Sequence, residues 1–273
     1  MNARLTWFPK LLSGSDVATF ARVTRAAGLD RCNAVIREGY PTPPGTLATT
    51  LRPFLDALRD GGVTCDFAST GWVPSELSGV EADLAALAKH GVTNVRLMHA
   101  LSGGGWGKVG DVRAELDQAK RDFAAAAELA ERHGLRFIYQ VHHATLFPSP
   151  SSVWPIVRDL PPERMAVMLD PGNQAIEGSE HPLRSMRLLC PDRVAACGVK
   201  DVAWSRDADN AWSHAFVETG TGVCNWPRAL PALAEGGFAG TLVFMPFYDV
   251  ADPNVLAVKL KREVDLIRAH MKV

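Results

Sequence analysis

Eight times along this chain an apolar strand signal gives way to a helix signal, and nothing interrupts the alternation. The strand signals fall at residues 4–8, 33–36, 64–68, 94–99, 135–141, 165–169, 194–199 and 240–245. Between and after them, helical patterns cover 16–27, 46–60, 79–90, 112–133, 151–159, 182–189, 227–235 and 254–272. A helix after every strand returns the chain to the same end of the sheet, so the strands run parallel. Five of the eight also turn polar at their last residues, in RLTWFPK, VRLMH, GLRFIYQVHHATLFP, MAVMLDPGN and VAACGVKD. Parallel strands that end in chemistry share one mouth when they close into a barrel. The expected fold is therefore α/β, a single (β/α)8 barrel spanning residues 1–273.

A length of 273 residues suits that barrel, which takes about 250. A doubly wound sheet would carry a glycine fingerprint after its first strand, and PKLLSGSD is not one. No Pro/Ser linker or low-complexity tract divides the chain. With a net charge of -1 and no basic block, nucleic-acid binding is disfavoured. Five scattered cysteines without CxxC spacing argue against a disulfide framework or a structural zinc. No signal peptide or membrane-spanning run is visible, so a cytoplasmic protein with no membrane partner is expected. A homo-oligomer is compatible with the sequence, which marks no interface.

The strand ends supply the candidates. Alternation puts Gln140 and His142 on one face of the fifth strand and His143 on the other. A histidine at the mouth suits acid–base work because it titrates near neutral pH. Asp170 opens DPGN with Asn173 beside it; turn chemistry alone also accounts for these residues. Lys200 closes the seventh strand, followed by Asp201, and a lysine there is costly unless it meets an anion, a polar substrate or a neighbouring carboxylate. Arg96 and His99 fall on opposite faces of the fourth strand, so at most one is expected to face the axis. SGGGWG at 102–107 lacks the Lys-Ser/Thr ending of a phosphate loop and reads equally as a lid carrying Trp106. GTG at 220–222 is as weak a phosphate motif.

In order and spacing, GLRFIYQVHH, LDPGN, GVKD, GTGVCNW and GFAGTLVFM resemble the xylose isomerase-like TIM-barrel superfamily, which includes sugar (phosphate) isomerases and epimerases, inosose dehydratase and endonuclease IV. The resemblance implies a divalent metal (Mn, Mg or Zn) held by Glu, Asp, His and Glu at the ends of strands five to eight. Those positions fall on Gln140, Asp170, Gly198 and Met245, of which only Asp170 matches. His142 and Asn173 are what a shifted metal site would use. The resemblance implies a small carbohydrate, polyol or keto-sugar substrate and proton abstraction beside its carbonyl. His142, Lys200 and Asp170 are then the catalytic candidates, with Gln140, Asn173, Arg96, His99, Trp106 and Asp201 positioned to bind substrate. The alternative is a family member without catalysis that binds such a ligand or serves as a subunit of a complex. An endonuclease IV-type nuclease needs a cluster of metal ligands that this sequence lacks.

Overall fold

The computed structural model describes residues 1–271. In chain order the elements are β1 (Arg4–Trp7), α1 (Val17–Ala26), β2 (Ala34–Ile36), α2 (Leu47–Asp60), β3 (Phe67–Thr70), α3 (Glu81–Lys89), β4 (Asn94–Leu97) and α4 (Val112–His133). There follow β5 (Arg136–Gln140), α5 (Pro150–Val157), β6 (Met165–Leu169), α6 (Pro171–Glu177), α7 (Pro182–Leu189) and β7 (Val194–Val199). The chain continues with β8 (Asp201–Arg206), β9 (Trp212–Val217), α8 (Trp226–Glu235), β10 (Thr241–Phe244) and α9 (Pro253–Met271). The expected end of the last helix at Lys272 lies outside the described residues.

Eight strands pair in parallel in the order β1-β10-β7-β6-β5-β4-β3-β2. The sheet curls until its two ends meet. There the Asn33 N–H donates to the Trp7 carbonyl at 2.9 Å, and the Thr6 hydroxyl donates to Asn33 Oδ1 at 2.9 Å. Asn33 Nδ2 continues to the Ser69 hydroxyl at 3.0 Å. This buried polar belt is satisfied across three strands, as burial demands. The result is the (β/α)8 barrel that the alternation predicts, with helices packed around the sheet.

Two apolar layers follow from the strand period of two. Outward residues such as Trp7, Ile36, Leu97, Tyr139 and Leu169 pack against the helices. Inward residues Val35, Phe67, Ile138, Ala166, Met168 and Val243 fill the barrel interior. Helix ends obey local chemistry. Asp111 caps α4 by accepting from the Ala114 N–H, and Gly134 ends it at φ 64°. Ser149 and Ser152 form a capping box on α5. Each such cap is worth about 1 kcal/mol. No helix among the described residues is long and apolar enough to cross a membrane.

Four elements depart from expectation. The third strand begins at Phe67, three residues late; its ladder is fixed by Phe67 opposite Asn94, and Thr64 keeps only an isolated bridge to Arg31. Residues before α3 form a 3-10 turn, Pro74–Val80, so the helix starts at Glu81 rather than 79. DPGN is more than a turn: Asp170 caps α6 by accepting from the Asn173 N–H, with Pro171 at the first helical position. The long loop after β7 folds into the antiparallel hairpin β8–β9, paired from Asp201 with Val217 to Arg206 with Trp212.

Candidate active site at the barrel mouth

The C-terminal ends of the strands converge on a hydrogen-bonded chain that crosses the barrel. Arg96 Nη1 donates to Gln140 Oε1 at 3.1 Å. Gln140 Nε2 donates to Asp170 Oδ2 and lies 3.6 Å from Met245 Sδ. Lys200 Nζ pairs with the same Asp170 oxygen at 3.2 Å and donates to Asn173 Oδ1 at 2.6 Å. Asn173 Nδ2 donates to the Val141 carbonyl at 3.2 Å, which fixes the amide's orientation. Asp170 and Asn173 are fully buried, and Gln140, Arg96 and Lys200 nearly so. Burial drives the Lys200 ammonium below the usual lysine range, while Asp170 pulls it back.

Above this floor three histidine rings lie in a row. His99 and His142 have centroids 4.2 Å apart, and His142 and His143 are 4.4 Å apart. Their partners determine their tautomers. His142 Nδ1 meets the His143 carbonyl at 2.8 Å, and His99 Nδ1 meets the Gln140 carbonyl at 3.3 Å. His143 Nδ1 meets Asn173 Oδ1 at 3.1 Å. Each partner only accepts, so each Nδ1 carries the proton and each Nε2 the lone pair. Burial, and then the Lys200 charge, push His142 down to about 2. Burial, and then His142, hold His99 well below its ordinary value. Both rings are neutral at physiological pH.

A cavity of about 100 Å³ opens beside His99 and His142, bounded also by Phe8, Lys10, Arg37, Arg96, Trp106, Gln140 and Phe247. A larger cavity of about 400 Å³ lies outside the barrel against α6, α7 and α8. Its lining holds none of the strand-end chain just described, and the mouth is the better candidate.

Most of the sequence candidates meet here, with corrections. Arg96 and His99 line the same cavity, because β4 ends at Leu97 and strand alternation no longer governs residue 99. His142 and His143 likewise stack side by side beyond the end of β5. Trp106 is half-exposed at its loop tip, with its ring 5.1 Å from His142 and 5.6 Å from His99. Lys200 does not line the cavity; its side chain is 1% exposed and sealed against Asp170.

Asp201 has another task. Its carboxylate accepts the N–H groups of Val202, Gly220, Gly222 and Cys224 at 2.9–3.1 Å. The GTG motif therefore cradles an anion belonging to the chain itself. A Cβ on Gly222 would lie 2.3 Å from Asp201 Oδ1. The SGGGWG loop does the same with Glu115, which accepts from the Gly103 N–H at 2.7 Å and the Ser102 hydroxyl at 2.6 Å.

Sequence reasoning missed several mouth residues. Lys10 and Arg37 follow the ends of β1 and β2, and Arg37 stands directly after its strand as Lys200 does after β7. The hairpin contributes His214, 5.6 Å from the His143 ring, and Phe216, 4.8 Å from Lys200 Nζ. Its alternating VAWSR and WSHAFV around DADN was a readable hairpin signal.

Residues 74–269 match the family described as xylose isomerase-like TIM barrel, and the chain belongs to that family. No curated protein matches it significantly. Among solved structures it is similar to D-psicose 3-epimerase from Clostridium cellulolyticum H10, with 15% identity and a TM-score of 0.74 over 98% of this chain and 99% of that one. It is also similar to 3-keto-D-glucoside 4-epimerase from E. coli, with 12% identity and a TM-score of 0.72 over 98% and 99%. A xylose isomerase-like TIM barrel protein from Mycobacterium smegmatis in complex with magnesium shares 16% identity and a TM-score of 0.69 over 99% and 97%. At these identities the likeness is one of fold.

The four positions at which the resemblance implies metal ligands do converge, but their donors do not fit a divalent ion. Gln140 offers one neutral oxygen, already accepting from Arg96. Met245 offers a soft sulfur, and Gly198 nothing. A Cβ on Gly198 would stand 2.9 Å from Asp170 Oδ2, so a histidine there would displace the carboxylate. Asp170 itself is engaged by Lys200, Gln140 and the Asn173 N–H. A site shifted toward His142 and Asn173 meets the same obstacle, since Asn173 Oδ1 is held by Lys200 and His143. Among the described residues, no three His, Cys, Asp or Glu side chains are grouped to hold a metal.

Proposed function

We propose that this protein is an enzyme of the isomerase and epimerase type, acting on a carbohydrate, polyol or keto-sugar by proton transfer at the carbon beside a carbonyl. The observation that carries this reading is one small cavity shared by a base and fixed cations. His142 presents the unprotonated Nε2, while Arg96 bounds the same cavity and Lys200, which does not line it, is paired with Asp170. The base takes the proton, and the positive groups stabilise the enolate oxygen that forms. They supply the electrostatic help a divalent metal would supply. Asp170 and Gln140 tie the two cations into one rigid network. In the unliganded site burial, and then the Lys200 charge, make His142 a weak base. Negative charge arriving with the substrate or developing on the enolate offsets the Lys200 charge and raises the proton affinity of His142.

Incubation in D2O with a panel of ketoses, aldoses and sugar acids tests this. Deuterium should enter at the carbon next to the carbonyl, and His142→Ala should abolish it. No exchange with any member of the panel, or equal exchange in the variant, would sink the enzyme reading. Binding without exchange would instead favour a non-catalytic ligand-binding role, which the loss of three of the four ligand positions recommends as the second reading.

A further inference from the structure

The cavity is lined by three cations with no anion to match them. Lys10, Arg37 and Arg96 reach it from the first, second and fourth strands. None takes part in an ion pair among the described residues. The nearby carboxylate, Asp170, is already paired with Lys200. Arg96 is 2% exposed, yet its Nε has no hydrogen-bond partner, and Arg37 Nε is buried and unpartnered too.

Aromatic rings hold these charges without neutralising them. The Phe8 ring has a guanidinium carbon at 5.4 Å from Arg37 and another at 5.4 Å from Arg96. The Phe247 ring has Lys10 Nζ at 4.5 Å and Lys200 Nζ at 5.2 Å. Cation–π contact offsets part of the cost of burial and leaves the net charge intact. Burial, and then mutual repulsion, push Lys10 below its usual range and Arg96 down to about 9. Collecting unpaired like charges in a half-closed pocket is destabilising unless a ligand anion completes the set.

We propose that Lys10, Arg37 and Arg96 form an oxyanion-binding site, so that the ligand of this barrel carries a carboxylate or phosphate group. The planar forks of Arg37 and Arg96 suit either group, and both present an unused Nε–H. A cavity of about 100 Å³ admits one such group and excludes a nucleic-acid backbone. With a net charge of only -1 over the whole chain, this concentration of positive charge is local to the mouth. The anion would sit beside His142, so the site deepens the sugar-isomerase reading by making the substrate a sugar acid or a sugar phosphate.

The test is calorimetric titration of the full chain in low salt with three probes: inorganic phosphate, gluconate and neutral fructose. The expected result is binding of at least one anion, weakening with added salt, and no comparable binding of fructose. Preference for phosphate over gluconate, or the reverse, identifies the group. Lys10→Met and Arg37→Met sit at the less buried end of the cluster and should fold. Each should weaken the anion roughly 10-fold or more, the size of one charge-assisted hydrogen bond. Arg96→Met should do the same, although it also leaves Gln140 Oε1 without its donor. Anion affinity unchanged in the Lys10 and Arg37 variants overturns the proposal. So does binding of fructose as tight as that of either anion. Because binding is read without turnover, anion binding without deuterium exchange would keep this site while ending the enzyme reading.

Discussion

Replacing Lys200 by Met tests the network on which the mouth is built. The substitution keeps a long apolar stem and removes the ammonium. Asp170, fully buried, would retain the Asn173 N–H at 2.8 Å and the Gln140 amide but lose its ion-pair partner at 3.2 Å. Breaking a buried pair from one side costs about 3–5 kcal/mol, because the remaining charge is uncompensated. That is a large part of a typical total stability of about 5–15 kcal/mol. Asp170→Asn keeps the helix-capping oxygen but strands the lysine instead. The double variant Asp170→Asn/Lys200→Met should lose at least roughly 2 kcal/mol less than the two single losses added together. Urea denaturation at pH 8 measures all four proteins. A loss below about 1 kcal/mol for Lys200→Met at pH 8, or simple additivity of the singles, would refute the argument.

Two further outcomes are expected. Asp201→Ala removes the acceptor for four backbone N–H groups, so residues 218–224 should gain hydrogen exchange and protease cleavage, with a stability loss of roughly 3 kcal/mol. Unchanged protection of that segment would count against the cradle. Glu263 is buried on α9, accepts from the Thr219 N–H at 2.9 Å, and is pushed up to about 7 by burial. A raised carboxyl stabilises the fold below its unfolded pKa, and that contribution is lost as pH rises through about 7. Glu263→Gln should thus be more stable than the parent at pH 8, by on the order of 2–3 kcal/mol, with the gain vanishing near pH 4. A gain independent of pH would contradict it.

Much of the architecture was legible because its signals are local. The α4 helix matches its expected bounds because Asp111 and Gly134 mark its two ends. β6, α7 and β7 match because short apolar runs between Pro, Gly and polar residues leave little freedom. α6 and the β8–β9 hairpin stand outside the eight strand–helix units read from the sequence. Turn residues also start helices, so DPGN leaves both open, whereas the alternation around DADN was a local signal for the hairpin. At the mouth, Gln140, Asp170 and Lys200 were legible as candidates because they stand at strand ends. The same rule, applied to Arg37 after β2, would have found a fourth member.

The sequence by itself determined the eight-fold alternation, the parallel sheet and the end of the barrel at which polar groups collect, since strand period, helix caps and the polarity of strand ends are written within a few residues. Only the tertiary structure decided which groups meet. Arg96 and Gln140 are 44 positions apart and Gln140 and Asp170 are 30 apart, and closure of the sheet brings them into one chain of hydrogen bonds. It also decided that both glycine loops wrap carboxylates of the chain itself, that Lys200 is sealed against Asp170, and that three cations share a cavity without an anion. These are long-range facts set by strand order and barrel curvature, which no local pattern encodes.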